Sequence, residues 1–232
     1  MKQTVLEQIV EPLNDKHGKE TPVTVHRGST HDYLGMTIDY TVDGRVTFDM
    51  RQYLRTILNE VPEDMCGTAV MPAGNKLFDV DRKCEKLAHD RADIFHHITA
   101  RLLYLCKRAR PDIQTAVSFL CTRVKEPDMD DWKKLTRCVR YLRSTPELCL
   151  ALETDKEIAI RWWIDASFGV HPDLRSHTGA TMSLGRGSVY SISRKQKLNT
   201  RSSTEAELVG VDDGITLVLS ARGTEWRPRA RK

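Results

Sequence analysis

The spacing of apolar positions changes several times along the chain, and each change marks a different kind of element. Residues 31–50, HDYLGMTIDYTVDGRVTFDM, alternate apolar and polar through Tyr33, Met36, Ile38 and Tyr40, meet Asp43-Gly44, and resume through Val46 and Phe48. Alternation on both sides of an Asp-Gly pair predicts a β-hairpin. RQYLRTILNEV then places Tyr53, Leu54, Ile57 and Leu58 at helical spacing and stops before Pro62, which predicts a short amphipathic helix. Residues 61–90 mix Pro, Gly, Asp and Lys with few periodic apolar positions and read as a long connection.

Three helices are predicted next. DIFHHITARLLYLCKR repeats apolar residues at Ile94, Ile98, Leu102 and Leu105; a second helix opens on Pro111 and runs through Ile113, Val117 and Leu120; DDWKKLTRCVRYLRST carries Trp132, Leu135, Val139 and Leu142. After Pro146 the period shortens to that of strands. CLALE, IAIRWWIDASFG and GATMSLGRGSVYSISRK suggest an antiparallel meander with a tight turn at Gly185–Gly187. Ser202, Ser203 and Thr204 then offer hydroxyl caps to a helix beginning near Thr204, whose buried stripe is expected at Leu208, Val211, Ile215 and Leu219. The fold class that follows is α+β.

With 232 residues and 40% hydrophobic content, the chain can bury one sizeable core or two small ones. No apolar run approaches the roughly 20 residues of a membrane span, and the first residues lack the apolar stretch of a secretory signal. An intracellular protein with no membrane partner is expected. The six cysteines show no CxxC and no regular pairing, so they read as small buried hydrophobes in a reducing compartment. The net charge is only +4, yet Lys and Arg crowd residues 101–143 and the last residues, which permits a nucleic-acid partner and equally fits a solvated face. His96 and His97 are adjacent on a helix, point in different directions, and read as surface or packing residues.

YLGMTIDY, RLLYLCKRARPDIQTAVSFL, WKKLTRCVRYLRST, DASFG, HTGATMSL and SSTEAELVGV resemble, in order and spacing, the consecutive boxes of Copia-type retrotransposon polyproteins. The resemblance runs from about Tyr33 to about Leu219. It implies the end of a reverse transcriptase palm and a helical thumb over 1–150, the N-terminal half of a ribonuclease H-like α/β domain over 151–221, and a basic tail over 222–232. The YLGM stretch, with Tyr33, Gly35 and Met36, is similar to the primer grip that holds a growing DNA end. Arg101, Lys107, Arg108 and Arg110 would be phosphate contacts of the thumb on an RNA/DNA hybrid or duplex, positioning it without reading its sequence. Where the family usually has a His before the thumb's Trp, this chain has Asp131.

Ribonuclease H chemistry uses two divalent ions about 4 Å apart, so several carboxylates must converge, and Mg²⁺ or Mn²⁺ is the cofactor that oxygen ligands suit. The resemblance matches Asp165, at the end of the apolar strand IRWWID, to the first catalytic aspartate and Glu207 to the second metal ligand. Glu205 points roughly 200° away from Glu207 on a helix and reads as a first-turn residue favoured by the dipole. VDD at 211–213 also resembles the reverse transcriptase active-site hairpin. The helical spacing, the preceding caps and the position after the thumb instead favour a helix, with Asp212 and Asp213 exposed on it.

The palm's catalytic aspartates lie upstream of the primer grip in the family, so polymerase activity is not expected of this chain alone. The ribonuclease H carboxylates that follow the helix in the family have no counterpart in SARGTEWRPRARK, so Asp165 and Glu207 are expected to bind an ion weakly. Three readings follow: a truncated, inactive fragment of a Copia-type Pol protein, a residual metal-dependent nuclease of RNA/DNA hybrids, or a non-catalytic nucleic-acid-binding module.

Overall fold

The computed structural model describes residues 3–155 and 159–223, with side chains placed for 7–155 and 159–215. Helix α1 (Gln3–His17), which the apolar pattern does not foretell, is followed by β1 (Thr30–Tyr33), β2 (Met36–Asp39) and β3 (Arg45–Asp49). The long alternating stretch is therefore two hairpins. Tyr33 pairs with Met36, so Leu34 and Gly35 form a two-residue turn in the middle of the expected first strand. Both take positive φ, 50° at Leu34 and 73° at Gly35, as the tight turn that matches strand twist requires.

Helix α2 (Arg51–Glu60) stops before Pro62 as expected and buries Leu54 and Ile57. α3 (His89–Arg108) begins one turn ahead of Asp93, where the apolar repeat opens, because its largely exposed first turn carries no apolar signal. It buries Phe95, Ile98, Leu102 and Leu105. Ile94, expected on the buried stripe, lies on the exposed side at 38%, and its neighbour Phe95 takes the enclosed position instead.

After a short 3₁₀ turn at Pro111–Ile113 come α4 (Gln114–Cys121) and α5 (Met129–Ser144). α5 opens on a reciprocal cap: Asp128 accepts from the amides of Asp130 and Asp131, and the Asp131 carboxylate accepts from the Asp128 amide. This gives Asp131 a physical role. Its buried carboxylate closes the cap and pairs with Arg123 at 3.0 Å, while burial, the largest influence on it, holds its pKa above the ordinary value.

The remaining elements are β4 (Leu150–Thr154), β5 (Arg161–Ser167), β6 (His177–Ser183), β7 (Gly185–Arg186), β8 (Tyr190–Lys195) and α6 (Ser203–Gly223). β4 does not open the expected meander. It pairs with β3, Val46 opposite Leu152, and completes a sheet of order β1-β2-β3-β4-β7. The antiparallel meander consists of β5-β6-β8 alone.

The apolar core lies among the helices and the first sheet, where Phe95, Leu102, Leu120, Leu135 and Leu142 are fully enclosed. Each such side chain contributes about 1.5–3 kcal/mol through burial. The second sheet sits between α6 on one face and α4 on the other, and its interior is largely polar, with Ser176, His177, Thr178 and Gln196 buried.

α6 corrects the expected stripe. Leu208, Val211 and Ile215 are 65%, 44% and 46% exposed, while Ala206, Gly210 and Gly214 face the sheet. Small residues let the helix backbone approach β5: a Cβ on Gly210 would stand 3.5 Å from both Ala166 and Ile164. The side chain of Leu219 lies outside the described residues. Among the described residues no helix is long and apolar enough to cross a membrane.

Candidate nucleic-acid interface and carboxylate pair

The Tyr33–Met36 turn presents Tyr33 at 58% exposure and anchors Met36 in the core at 8%. It is seated on α3 by Tyr104, whose hydroxyl donates to the Leu34 carbonyl and whose ring meets Tyr53 edge-on at 5.4 Å. Beyond Met36 opens a cavity of about 290 Å³ that Lys107 and Arg108 also line. The fold thus brings together Met36, Lys107 and Arg108, residues about 70 positions apart in sequence. Arg108 lies over the Tyr104 ring at 5.1 Å. Neither Tyr104 nor Leu34 stands out in the sequence, because a tyrosine at helical spacing looks like any other apolar position.

The other two cations are engaged in the fold. Arg101 pairs with Glu60, donates to Thr56 and lies over Tyr53. Arg110 is 2% exposed; it pairs with Asp112 at 2.7 Å and donates to the Thr145 carbonyl at 2.9 Å. Arg110 is therefore corrected from a surface contact to a buried tie between the end of α3 and the end of α5, because its guanidinium has no open side left for a phosphate.

Asp165 and Glu207 reach the same stretch of β5 by different routes. Alternation along β5 sets Asp165, with its partners Gly179 and Ser193, on the face toward α4, where it lines an open cleft of about 430 Å³. Glu207 comes from α6 on the other side and accepts from the Ala166 amide at 3.3 Å. Glu205 serves the cap: it accepts from the Arg201 amide at 2.7 Å while Ser202 accepts from the Glu205 amide at 3.2 Å. The VDD stretch is helical, and Asp213, expected to be exposed, is half-buried: it accepts from Thr178 at 3.2 Å and pairs with Arg194.

Two divalent ions need several converging carboxylates. Among the described residues no group of three or more His, Cys, Asp or Glu side chains could hold a metal ion. Asp165 and Glu207 by themselves do not fit a two-ion centre. His96 and His97 are exposed on α3, and residues 224–232 of the basic tail lie outside the described residues. All six cysteines are free; Cys106 and Cys138 are buried, and burial pushes both thiols up to about 12.

No family model matches the chain, and no solved structure matches it. Among curated proteins, the putative transposon Ty5-1 protein of Saccharomyces cerevisiae is 27% identical over 194 residues, 81% of this chain and 61% of that protein. The retrovirus-related Pol polyprotein from transposon RE2 of Arabidopsis thaliana is 35% identical over 114 residues, 49% of this chain and 8% of the polyprotein. A protein of Plasmopara viticola named secreted RxLR effector protein 161 is 31% identical over 129 residues, 53% of this chain and 91% of that protein.

Proposed function

We propose that this chain, a homologue of transposon-encoded Pol polyproteins, is the primer-grip and thumb part of a Copia-type Pol joined to the first half of a ribonuclease H-like domain. On its own it holds nucleic acid without cutting it. The observation that carries this reading is the seating of the exposed Tyr33–Met36 turn on α3, which brings Met36 to the cavity that Lys107 and Arg108 line. A duplex end laid there meets two cations that neutralise phosphates and read no base. Arg101 and Arg110 support this surface from within by fixing α3 to α2 and to the end of α5.

A bound Mg²⁺ or Mn²⁺ would supply charge for phosphodiester hydrolysis, but Asp165 lies on the face of β5 toward α4 and Glu207 on the side of α6. The pair is too small a ligand set for that chemistry. Residual nuclease activity is the second reading, favoured by the presence of both carboxylates at one stretch of β5.

The test is a labelled RNA/DNA hybrid incubated with the chain and with Asp165→Asn, in Mg²⁺ and in Mn²⁺, alongside binding by fluorescence anisotropy. Binding without cleavage is expected, weakening about tenfold between about 50 and 200 mM salt, as two phosphate contacts imply. Cleavage that disappears in Asp165→Asn would establish the nuclease reading instead.

A further inference from the structure

A second basic surface lies away from the Tyr33–Met36 turn, between α5 and the connection that precedes α3. It is a groove of about 370 Å³ lined by Lys76, Lys133, Lys134, Arg137 and Arg140, with Asp130 as its one acidic side chain. Five cations against one carboxylate leave an excess of four, equal to the formal net charge of +4 of the whole chain. The groove therefore carries a local excess of positive charge.

The cations divide into two sets. One set builds the groove. Arg140 donates to the carbonyls of Cys66 at 2.7 Å and Asp64 at 3.1 Å, and Lys134 bridges the Asp79 carbonyl and the Asp130 carboxylate. These bonds fasten the irregular connection onto α5. The other set is unspent: Lys76 and Lys133 are exposed and, among the described residues, their ammonium groups have no hydrogen-bond or ion-pair partner, and the Arg137 guanidinium gives only its Nε–H, to the Met71 carbonyl at 3.3 Å. Like charges held together without a counter-charge repel one another, and an anion that enters the groove relieves that repulsion.

We infer that this groove binds phosphate oxyanions, with Lys76, Lys133 and the free end of Arg137 as the ligand-facing donors. An ammonium pair and a forked guanidinium suit a phosphodiester or polyphosphate better than a carboxylate, because three donors can engage several oxygens at once. The source is either a nucleic-acid strand or free polyphosphate. Lys107 and Arg108 take no part in this site.

The experiment compares the full chain with Lys76→Glu/Lys133→Glu and with a charge-matched control, Lys125→Glu/Lys197→Glu, whose side chains are exposed and do not line the groove. Folding of each is checked by thermal melting, and Arg137→Gln serves as a milder third variant. Two ligands are used: a labelled RNA/DNA hybrid by anisotropy, and inorganic pyrophosphate by calorimetry. Loss of hybrid affinity of about tenfold or more, with a shallower salt slope and no such change in the control, assigns the groove to a strand. Pyrophosphate binding that only the groove variants lose, with hybrid binding unchanged, assigns it to free polyphosphate. Groove variants that match the control with both ligands would overturn the assignment. A separate Lys107→Glu/Arg108→Glu variant tells failure of the turn-side interface from failure of the groove.

Discussion

Leu34 holds a backbone conformation that costs a side-chain-bearing residue about 1–2 kcal/mol, with φ at 50°. It sits at the first turn position between Tyr33 and Met36, where Asn ahead of Gly is favoured. Leu34 is 56% exposed and its only polar task is a carbonyl that accepts from Tyr104, which any residue supplies. Leu34→Asn is therefore expected to stabilise the chain by up to about 1 kcal/mol, read as a higher urea midpoint with an unchanged slope. A fall in the midpoint would mean that the leucine side chain contributes packing that its exposure does not reveal. The same position shows a limit of sequence reading: Leu-Gly inside an alternating run carries a weak turn signal, so alternation alone continues the first strand straight through it.

Helix α6 packs by backbone proximity instead of by large side chains. A Cβ on Gly214 would come within 2.5 Å of the Ile164 Cδ1, whereas one on Gly210 meets neighbours at ordinary contact distance. Gly214→Val is expected to destabilise by about 1–3 kcal/mol through overpacking. Gly210→Ala is expected to be neutral or stabilising by up to about 1 kcal/mol, since alanine favours helix and the space accepts it. Thermal melting of the two variants separates the outcomes, and equal destabilisation would contradict this packing. The apolar spacing of Leu208, Val211 and Ile215 is legible and correctly indicates a helix. Which face it buries is not legible, because two glycines and an alanine carry no hydrophobic signal.

Across the molecule, the helical layer and the second sheet meet at a buried imidazole pair. His171 Nε2 stands 3.1 Å from His177 Nδ1, Phe78 packs 4.8 Å from each ring, and Gln114 donates to the Ser191 carbonyl at 3.0 Å. Lys195 disfavours and Asp173 favours a charged His171; Asp79 and Asp81 line the cavity beside it, and Arg194 and Cys121 line the one beside His177. Burial pushes His177 down to about 4, with His171 a smaller cause, and burial likewise lowers His171. A folded value below the ordinary 6.5 means that the unfolded chain binds the proton more readily, so this stability is present above pH 6.5 and is lost as pH falls toward 4. About 2 kcal/mol should disappear between about pH 7 and pH 5, and urea titrations of His177→Gln should show a flatter dependence. An unchanged midpoint across that range would place the pair outside the stabilising interface. The α+β class, helices α2 to α5 and most strand positions are legible in the sequence, because they rest on local spacing, capping and turn chemistry. That β4 joins the first sheet, that Arg110 is buried, that Met36 meets Lys107 and Arg108, and that five cations share one groove become visible only in the folded chain. Each depends on contacts between residues distant in the chain, and such contacts leave no periodic trace in sequence.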